Sequence, residues 1–372
     1  MMGLWIFLQA MTVLGVFNYL RHLPTDRKIE APDGVVVILS VRDDWDGGPD
    51  LIASLKAQTA SFRLLLATSG DCPSAQALAV KEGDWVQVVA AGVATDEGQK
   101  VHKLRAALRA LRPEDRWLIF IDADITPPAR LVGRLLFPLV RHKADIVTGY
   151  RLLLPGRGCM PALVGAVEMQ LATMPRSANA TMPWGGAMAL PRTIAERLDL
   201  HAAMAGRLSD DLAIGLAGWR AKLRLRPVRD LLVASPLEGR MAPLWAFGVR
   251  QYRHIITNSP GMWFVAMLGV AIQSGAWLWA IGCGGPIAIA IGYGAAWSRV
   301  LIRRRIMART LDAHQVRRAG RSLLWDALAP FILLWAHLAV QLQAALSNRI
   351  RWGGWDYWVR RGKVVRMERV KG

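Results

Sequence analysis

The pattern of apolar and polar positions first separates a globular region from apolar segments at both ends of the chain. From Val35 to about Tyr150, short apolar runs rich in β-branched residues alternate with amphipathic segments of helix length. This alternation predicts strand–helix–strand units and a mostly parallel sheet, which is an α/β fold. Residues 151–240 are less periodic and richer in Gly, Pro and Met. We expect them to complete the sheet and to form an acceptor site.

The apolar segments predict a membrane protein. Gly3–Leu20 is apolar and uncharged, and Arg21, Arg27 and Lys28 follow it. A cleaved secretion signal has its positive charge before the apolar run and small residues at a cleavage site after it, and neither is present. We therefore expect an uncleaved N-terminal anchor with the next domain in the cytoplasm. Three further candidate membrane segments follow, namely Gly261–Gly282, Pro286–Ile302 and Leu323–Leu346.

The predicted organisation has five parts. They are an N-terminal membrane anchor (1–30), a cytoplasmic globular domain (31–240), an interfacial amphipathic helix (241–258), C-terminal membrane helices (259–346) and a basic tail (347–372). The last apolar segment contains Asp326, Pro330 and His337, and basic residues stand on both sides of it. Because basic segments stay in the cytoplasm, we favour a re-entrant or interfacial segment over a full crossing.

Net charge and cysteine content limit the classes of binding partner, metal site and disulfide that the chain can have. The net charge is +19, and residues 241–372 carry 18 Lys and Arg against four Asp and Glu. Because this charge flanks apolar segments rather than the globular region, it favours anionic lipid headgroups over nucleic acid. The three cysteines are far apart in the sequence, which indicates neither a zinc site nor a disulfide framework.

A pair of aspartates ends one of the predicted strands. In "LIFIDADITPP", Asp122 and Asp124 follow an apolar run that is typical of a buried parallel strand. Residues two apart in an extended chain point to the same side, so the two carboxylates would lie together at a sheet edge that binds ligands. Such a pair needs a hard cation or basic partners, which indicates a metal-diphosphate site. Thr126 and Pro127 then predict the cap and first residue of a helix.

Other polar residues follow the same pattern. Asp71, and Asp43 with Asp44, come after neighbouring strands and offer acceptors for a uracil edge and ribose hydroxyls. Lys100 stands at the start of a helix after a glycine, where it can meet phosphate. For each of these aspartates, the alternative is an ordinary loop residue without a role in binding.

Two further motifs follow in the second half of the chain. In "RLSDDLAIG", Asp210 and Asp211 begin a helix with Ser209 as its cap, and an aspartate there can act as a general base for an acceptor hydroxyl. In "WAFGVRQYRHI", Arg250 and Arg253 share one helical face beside aromatic residues suited to a lipid interface. Contact with lipid phosphate alone is the alternative for these arginines.

These motifs, in this order, resemble those of the inverting family 2 glycosyltransferases with the GT-A fold, and more narrowly the ceramide glucosyltransferase branch. The resemblance rests on Asp71, "DAD", "SDD" and "RQYRH", together with "GQKVHKL" and the C-terminal "RIRWGGWDYWV". It implies a Rossmann-like GT-A catalytic domain with N-terminal and C-terminal transmembrane or interfacial helices. Two positions depart from the family pattern, because His254 stands where Trp is expected and Gly353 where Arg is usual.

The resemblance also implies roles on the donor side of the site. Asp71 would contact the nucleotide, and Lys100 would help to bind the diphosphate of a UDP-sugar. Asp122 and Asp124 would hold the donor through Mg²⁺ or Mn²⁺, with Asp124 as the more direct metal ligand.

On the acceptor side, Asp211 would take the proton from the hydroxyl, while Arg250 and Arg253 would stabilise the departing UDP. The implied activity is transfer of a hexose, with glucose as first choice, to a lipid hydroxyl, with ceramide as first choice. The protein would be a multi-pass protein of the bacterial inner membrane with its catalytic domain in the cytoplasm. Hopanoid, diacylglycerol and polyprenyl-phosphate acceptors remain open. The sequence predicts no nucleic-acid partner and gives no oligomeric state.

Two other functions fit the sequence less well. A processive polysaccharide synthase would need more membrane helices and normally a Trp at position 254. A non-catalytic membrane scaffold would not need intact carboxylates at every motif.

Overall fold

In a computed structural model, which describes residues 1–24, 32–175 and 181–370, the chain forms two compact units. The first, here called the sheet unit, comprises residues 26–151, 176–233 and 349–372. The second, here called the helical unit, comprises residues 1–25, 152–175 and 234–348. Arg27 and Lys28, which contribute to the predicted charge after the N-terminal anchor, lie outside the described residues.

The described residues form the following helices and strands. The helices are α1 (Met2–Arg21), α2 (Pro49–Lys56), α3 (Pro73–Glu82), α4 (Gln99–Arg109), α5 (Leu131–Val140), α6 (Cys159–Ala172), α7 (Arg192–Arg197), α8 (Leu200–Met204), α9 (Asp210–Arg220), α10 (Met241–Asn258), α11 (Pro260–Gly282), α12 (Gly285–Thr310), α13 (Ala313–Leu328) and α14 (Pro330–Ala345). The strands are β1 (Val35–Ser40), β2 (Arg63–Thr68), β3 (Val86–Ala90), β4 (Trp117–Ile121), β5 (Ile146–Pro155), β6 (Ala187–Pro191), β7 (Leu225–Leu237), β8 (Arg349–Trp352), β9 (Trp355–Arg360) and β10 (Lys363–Arg369).

A seven-stranded sheet with the order β3-β2-β1-β4-β6-β5-β7 organises the larger fold. The strands β1 to β4 are parallel, and β6 runs antiparallel to both β4 and β5. In β1, Val35, Val37 and Leu39 pack into the core on one face, whereas Val36 and Ile38 pack into the core on the other. Because both faces are buried, these strands are apolar throughout and lack the alternation of a half-exposed strand.

The last three strands form a separate antiparallel sheet within the sheet unit. Its order is β10-β9-β8, and its apolar side packs around Leu208 through Ile350, Tyr357 and Val359. The side chains that point outward are mainly arginines, such as Arg360 and Arg369. The basic segment at the C-terminus is therefore folded onto the same unit as the large sheet.

The helical unit contains the apolar helices. Three helices, α1, α11 and α12, are long and apolar enough to cross a membrane, and α13 and α14 form a bent pair with an angle of 97°. Trp5 Nε1 donates to the carbonyl of Ala288 at 2.9 Å, and its ring contacts Trp277 edge-on at 5.1 Å. Arg303 is paired with the buried Asp326, which also accepts a hydrogen bond from Gln170 at 2.8 Å. These polar groups are thus satisfied inside an apolar surrounding.

The predicted α/β fold with a mostly parallel sheet and apolar helices near both ends is confirmed. The predicted helix start at Thr126 and Pro127 is wrong, because α5 begins only at Leu131. A proline disfavours helical backbone in the residue before it, and Pro127 and Pro128 stand in succession. Pro127 is therefore disfavoured as a helical residue, and the N–H of Leu131 donates to the carbonyl of Pro128 at 2.9 Å.

Candidate active site

The aspartate motif and a glycine-rich segment meet at one edge of the large sheet. Ile121, the last residue of β4, pairs with Ala187, the first residue of β6. Just beyond this pair, the N–H of Asp122 donates to the carbonyl of Gly186 at 3.4 Å. The segment "DAD", which follows β4, therefore lies beside the segment "WGG", which precedes β6, although the two are distant in the sequence.

Lys100 joins these segments to a third. It lies in the first turn of α4, and its Nζ is 2.7 Å from Asp122 Oδ1 and 3.2 Å from Asp210 Oδ1. Nζ also donates to the carbonyl of Gly185 at 3.4 Å. A lysine ammonium has three N–H donors. All three are thus directed at oxygen atoms of the protein, so Lys100 holds the site together rather than offering a free donor.

Asp210 is the buried member of this group. Its side chain is 3% exposed, and its Oδ2 has no hydrogen-bond partner among the described residues. Burial raises the pKa of Asp210 to about 6, and Asp211 and Asp122 add to the shift while Lys100 opposes it. The same three carboxylates raise the pKa of Lys100 although burial alone would lower it. Lys100 and Asp210 therefore form a strongly coupled buried pair.

Gly185 allows the close approach of these side chains. A Cβ atom at this position would lie 2.9 Å from both Lys100 Nζ and Asp210 Oδ2. The neighbouring Trp184 is held by a hydrogen bond from its N–H to Thr148 Oγ1 at 2.8 Å, and its ring lies 6.4 Å from that of Tyr150. The segment thus presents backbone groups to the charged cluster and aromatic rings beside it.

Asp211 follows at the start of α9 and differs from Asp210 because it is partly exposed. Its Oδ2 accepts from the N–H of Gly185 at 3.0 Å, and its Oδ1 accepts from the N–H of Leu212 at 2.7 Å. The hydroxyl of Ser209 also donates to Oδ1. Ser209 occupies the predicted cap position but binds this carboxylate instead of a backbone N–H. Three donors therefore fix the orientation of a carboxylate that solvent can reach.

Asp124 is the exposed carboxylate of the site. Partial desolvation of its carboxyl group and the charge of Asp122 raise the pKa of Asp124, although Lys100 and Arg151 partly oppose the shift. Counting Lys100 and the four aspartates, the cluster has a formal charge of −3 when all are ionised. Such a site repels an anionic diphosphate and attracts a cation.

The residues present fit Mg²⁺ or Mn²⁺ bound mainly by substrate. No group of three or more His, Cys, Asp or Glu side chains able to hold a metal ion occurs within residues 1–24, 32–175 and 181–370. Mg²⁺ is commonly held by one or two carboxylates together with phosphate oxygens and water, so a protein cage is not needed. Asp124, next to Asp122, is the carboxylate best placed to contribute.

Asp71 lies at the predicted edge but outside the charged cluster. It is exposed in the loop after β2, and within the described part of the chain its carboxylate makes no hydrogen bond or ion pair. Asp43, in the loop after the adjacent β1, accepts from the N–H groups of Ser69 and Gly70 at 3.0 and 3.2 Å. Asp43 therefore supports the loop that carries Asp71, and Asp71 is available to a ligand.

Arg250 and Arg253 lie three residues apart in α10 of the helical unit, whose bounds coincide with the predicted interfacial helix. The guanidinium of Arg250 lies over the ring of Phe247 at 5.3 Å. The role of both arginines in binding the departing UDP stays a prediction.

The structure therefore brings together Lys100, Asp122 and Asp211 as well as Asp210, which sequence analysis noted only as the start of a helix. Gly185 was also missed as a site residue. The string "WGGAM" was visible as a signal, but the need for a glycine there depends on which side chains approach it.

Comparison with known proteins places this site in a family. Residues 54–246 match the model described as "Glycosyltransferase like family 2". Among solved structures, the mannosyltransferase PcManGT from Pyrobaculum calidifontis in complex with GDP-Man and Mn²⁺ is similar at 14% identity over 93% of this chain and 98% of that one, with a TM-score of 0.49. S. aureus TarS 1-349 in complex with UDP-GlcNAc is similar at 10% identity over 91% of this chain and 99% of that one, with a TM-score of 0.39. No curated protein matches the chain.

Proposed function

Because the chain belongs to glycosyltransferase family 2 and is a glycosyltransferase, we propose that it transfers a hexose from a UDP-sugar to the hydroxyl group of a membrane lipid. The observation that carries the proposal is the cluster of Asp122, Asp124 and Asp211 around Lys100 at the sheet edge. Its negative charge favours binding of a nucleotide diphosphate together with a divalent cation. It disfavours binding of a free anion, and it offers no match for an apolar ligand.

Asp211 is the general base in this proposal. Its carboxylate accepts the proton of the lipid hydroxyl, whose oxygen attacks the anomeric carbon of the hexose as the bond to the diphosphate breaks. The bonding electron pair leaves with UDP, and the configuration at the sugar carbon is inverted. Asp210 is unsuited to this role because it is buried and paired with Lys100. Partial exposure and three fixed donors favour Asp211.

The donor side follows from the remaining carboxylates. Asp124, with Asp122 behind it, would hold Mg²⁺ or Mn²⁺, which when bound neutralises negative charge on the leaving diphosphate. Lys100 keeps Asp122 in place through the 2.7 Å contact. Asp71, at the end of β2, is available to the nucleotide. The rings of Tyr150 and Trp184 beside Gly185 offer apolar surface for one face of a sugar ring.

The arrangement of apolar helices supports a lipid acceptor and a single side of the membrane for the sheet unit. The chain leaves the sheet unit after Val233 and returns to it at Arg349, so it must cross a membrane an even number of times in between. The helices α11 and α12 provide two crossings. The bent pair α13–α14 then adds none, which supports the re-entrant interpretation. The arginines of α12 and α13 favour the cytoplasmic side for the sheet unit.

One native cysteine and one introduced cysteine make this topology testable. The native Cys283 is exposed in the connection between α11 and α12, and Arg369, the position for the introduced cysteine, is exposed in β10. In a Cys159→Ser background, we expect a membrane-impermeant maleimide to label Cys283 in intact cells. With Arg369→Cys added, we expect that second site to react only after lysis. Labelling of both sites in intact cells would contradict the proposed topology.

The acceptor and sugar are tested with the purified full-length protein in lipid nanodiscs. UDP-glucose, UDP-galactose and UDP-GlcNAc are each supplied with Mn²⁺ and with ceramide, diacylglycerol, a hopanoid lipid or polyprenyl phosphate. We expect one hexose on one lipid, identified by mass, with ceramide and glucose as first choice and a β-linkage from inversion. A ladder of longer products would instead indicate a polysaccharide synthase. No UDP release with any acceptor would overturn the proposal.

A further inference from the structure

The segment Gly206–Leu208, which directly precedes the Ser209–Asp211 motif, is held from two sides. On one side, the N–H of Gly206 donates to Glu97 Oε2 at 3.0 Å, and the N–H of Gly98 donates to the carbonyl of Arg207 at 2.9 Å. A Cβ atom at Gly98 would lie 2.5 Å from the carbonyl oxygen of Leu208. This tight contact, here called the junction, joins the segment before Asp210 to the start of α4.

The C-terminal strands hold the other side of the junction. The N–H of Val364 donates to the carbonyl of Gly206 at 2.8 Å, and Arg207 Nη1 donates to the carbonyl of Arg361 at 2.9 Å. The side chain of Leu208 is fully buried in the apolar side of this sheet. The segment that leads into the acceptor-side aspartates is therefore enclosed between α4 and the end of the chain.

Tyr357 anchors the C-terminal strands at the junction. It is 1% exposed, and its ring packs in the same apolar cluster as Leu208, Ile350 and Val359. The side chains that surround Leu208 therefore come from a distant part of the chain.

Glu97 is the charged centre of the junction. It is fully buried and accepts from both Arg105 Nη1, at 2.7 Å, and His102 Nδ1, at 2.7 Å, in addition to Gly206. Although burial alone would raise its pKa, these hydrogen bonds lower it, so Glu97 is an anion. It contacts none of the site carboxylates, yet it ties the helix that carries Lys100 to the loop that leads to Asp210.

We propose that the C-terminal strands and the junction position the transfer site, with Arg207 and Glu97 as positioning residues. The 3.2 Å contact between Lys100 and Asp210 depends on both ends of the junction, because Lys100 follows Gly98 by two residues and Asp210 follows Leu208 by two. The inference rests on the proposed function. It adds that a sheet outside the family match, which ends at residue 246, sets the geometry of the donor and base carboxylates.

Arg207→Ala gives the cleanest test because it removes the side-chain contact between the junction and the carbonyl of Arg361 and leaves the backbone contacts in place. One hydrogen bond of this kind corresponds to about a two- to tenfold change in an equilibrium constant. We expect the KM for the UDP-sugar, and the Kd for UDP measured with Mn²⁺ but without acceptor, to rise by about that factor. The KM for the lipid is expected to stay unchanged. Arg321→Ala is the matched control, since its Nη1 donates to the carbonyl of Gly156 in the helical unit.

Glu97→Gln tests the charged centre and should raise the Kd for UDP and lower kcat together, by about ten- to a hundredfold, because its hydrogen bonds are charge-assisted. If that variant does not fold, Arg207→Ala alone decides the test. Folded Arg207→Ala protein with unchanged Kd for UDP and unchanged kinetics would overturn the positioning role.

The outcomes for the two proposals are separate. If wild-type protein transfers no hexose, the proposed function fails, while the effect of Arg207→Ala on UDP affinity still tests the junction. If wild-type protein transfers hexose and all junction variants match it, only the positioning role fails.

Discussion

Removal of the Lys100 ammonium is the perturbation for which the structure gives the sharpest expectation. Lys100→Met keeps the length of the side chain but leaves Asp122 and the buried Asp210 without their cation. Removing one partner of a buried ion pair costs about 3–5 kcal/mol because the other charge stays buried and uncompensated. For a domain of this size that corresponds to a fall in Tm of roughly 6–20 °C.

The chain offers a matched control for this change. Lys56 Nζ lies 2.6 Å from Glu82 Oε1, a contact as short as the one between Lys100 and Asp122, but the Lys56 side chain is 47% exposed against 16% for Lys100. Exposed ion pairs contribute about 0–1 kcal/mol. We therefore expect Lys56→Met to change Tm by no more than roughly 4 °C. The comparison separates burial from the loss of a lysine as such.

The pH dependence of Tm tests in a second way whether the uncompensated charge of Asp210 destabilises Lys100→Met. The pKa of Asp210 is about 6 in the folded protein against a usual value near 3.8. Because folding raises the pKa of this acid, protonation of Asp210 stabilises the folded state. This stabilisation is complete below about pH 4 and is lost as the pH rises through 6. Without Lys100 nothing opposes the rise, so the destabilisation of Lys100→Met should be larger at pH 8 than at pH 5.

The assay is thermal unfolding of the full-length protein in one detergent, followed by tryptophan fluorescence at both pH values. Adding Asp210→Asn to Lys100→Met removes the uncompensated charge and should restore part of the lost Tm, so the two changes should not be additive. The reasoning is refuted if Lys100→Met lowers Tm no more than Lys56→Met does, or if the added Asp210→Asn lowers it further.

Three further outcomes are expected. Gly185→Ala should reduce transfer at least tenfold because its Cβ would lie 2.9 Å from Lys100 Nζ, whereas Gly320→Ala, where nothing lies within 4 Å, should leave transfer unchanged; equal activity of the two proteins would contradict the close approach. Asp211→Asn should abolish transfer but keep UDP affinity within a few-fold of wild type, and loss of both in parallel would point to a structural role. Asp124→Ala should weaken binding of UDP only when Mn²⁺ is present, which isothermal titration with and without EDTA can measure.

The sheet and the edge at which its polar loops meet were predictable because they depend on local patterns. The continuous apolar runs that end at Ser40, Thr68 and Ile121 identify buried parallel strands, and the topology then fixes which loops share an edge. The same logic placed Lys100 in the first turn of α4 and Asp211 in that of α9.

What could not be predicted depends on contacts between segments distant in sequence. A lysine at the start of a helix is consistent with phosphate binding, and only the structure shows that its three donors are directed at Asp122, Asp210 and the carbonyl of Gly185. The strands at the C-terminus were obscured for a different reason. Their arginines and tryptophans resemble a membrane-facing basic tail, because the apolar side of a three-stranded sheet has few residues and only Ile350, Tyr357 and Val359 mark it.

The order of the segments along the chain has a consequence for how the site is completed. Lys100, Asp122 and Asp210 are all synthesised before the helices α10 to α14, but the strands that cover Gly206–Leu208 come after those helices. The carbonyl of Gly206 and the side chain of Leu208 therefore lack their partners until the apolar helices have been made and the chain has returned to the sheet unit. If the C-terminal strands position the site as proposed, assembly of the charged cluster is coupled to membrane insertion. A transferase built in this order would reach full donor affinity only after its apolar helices have been made.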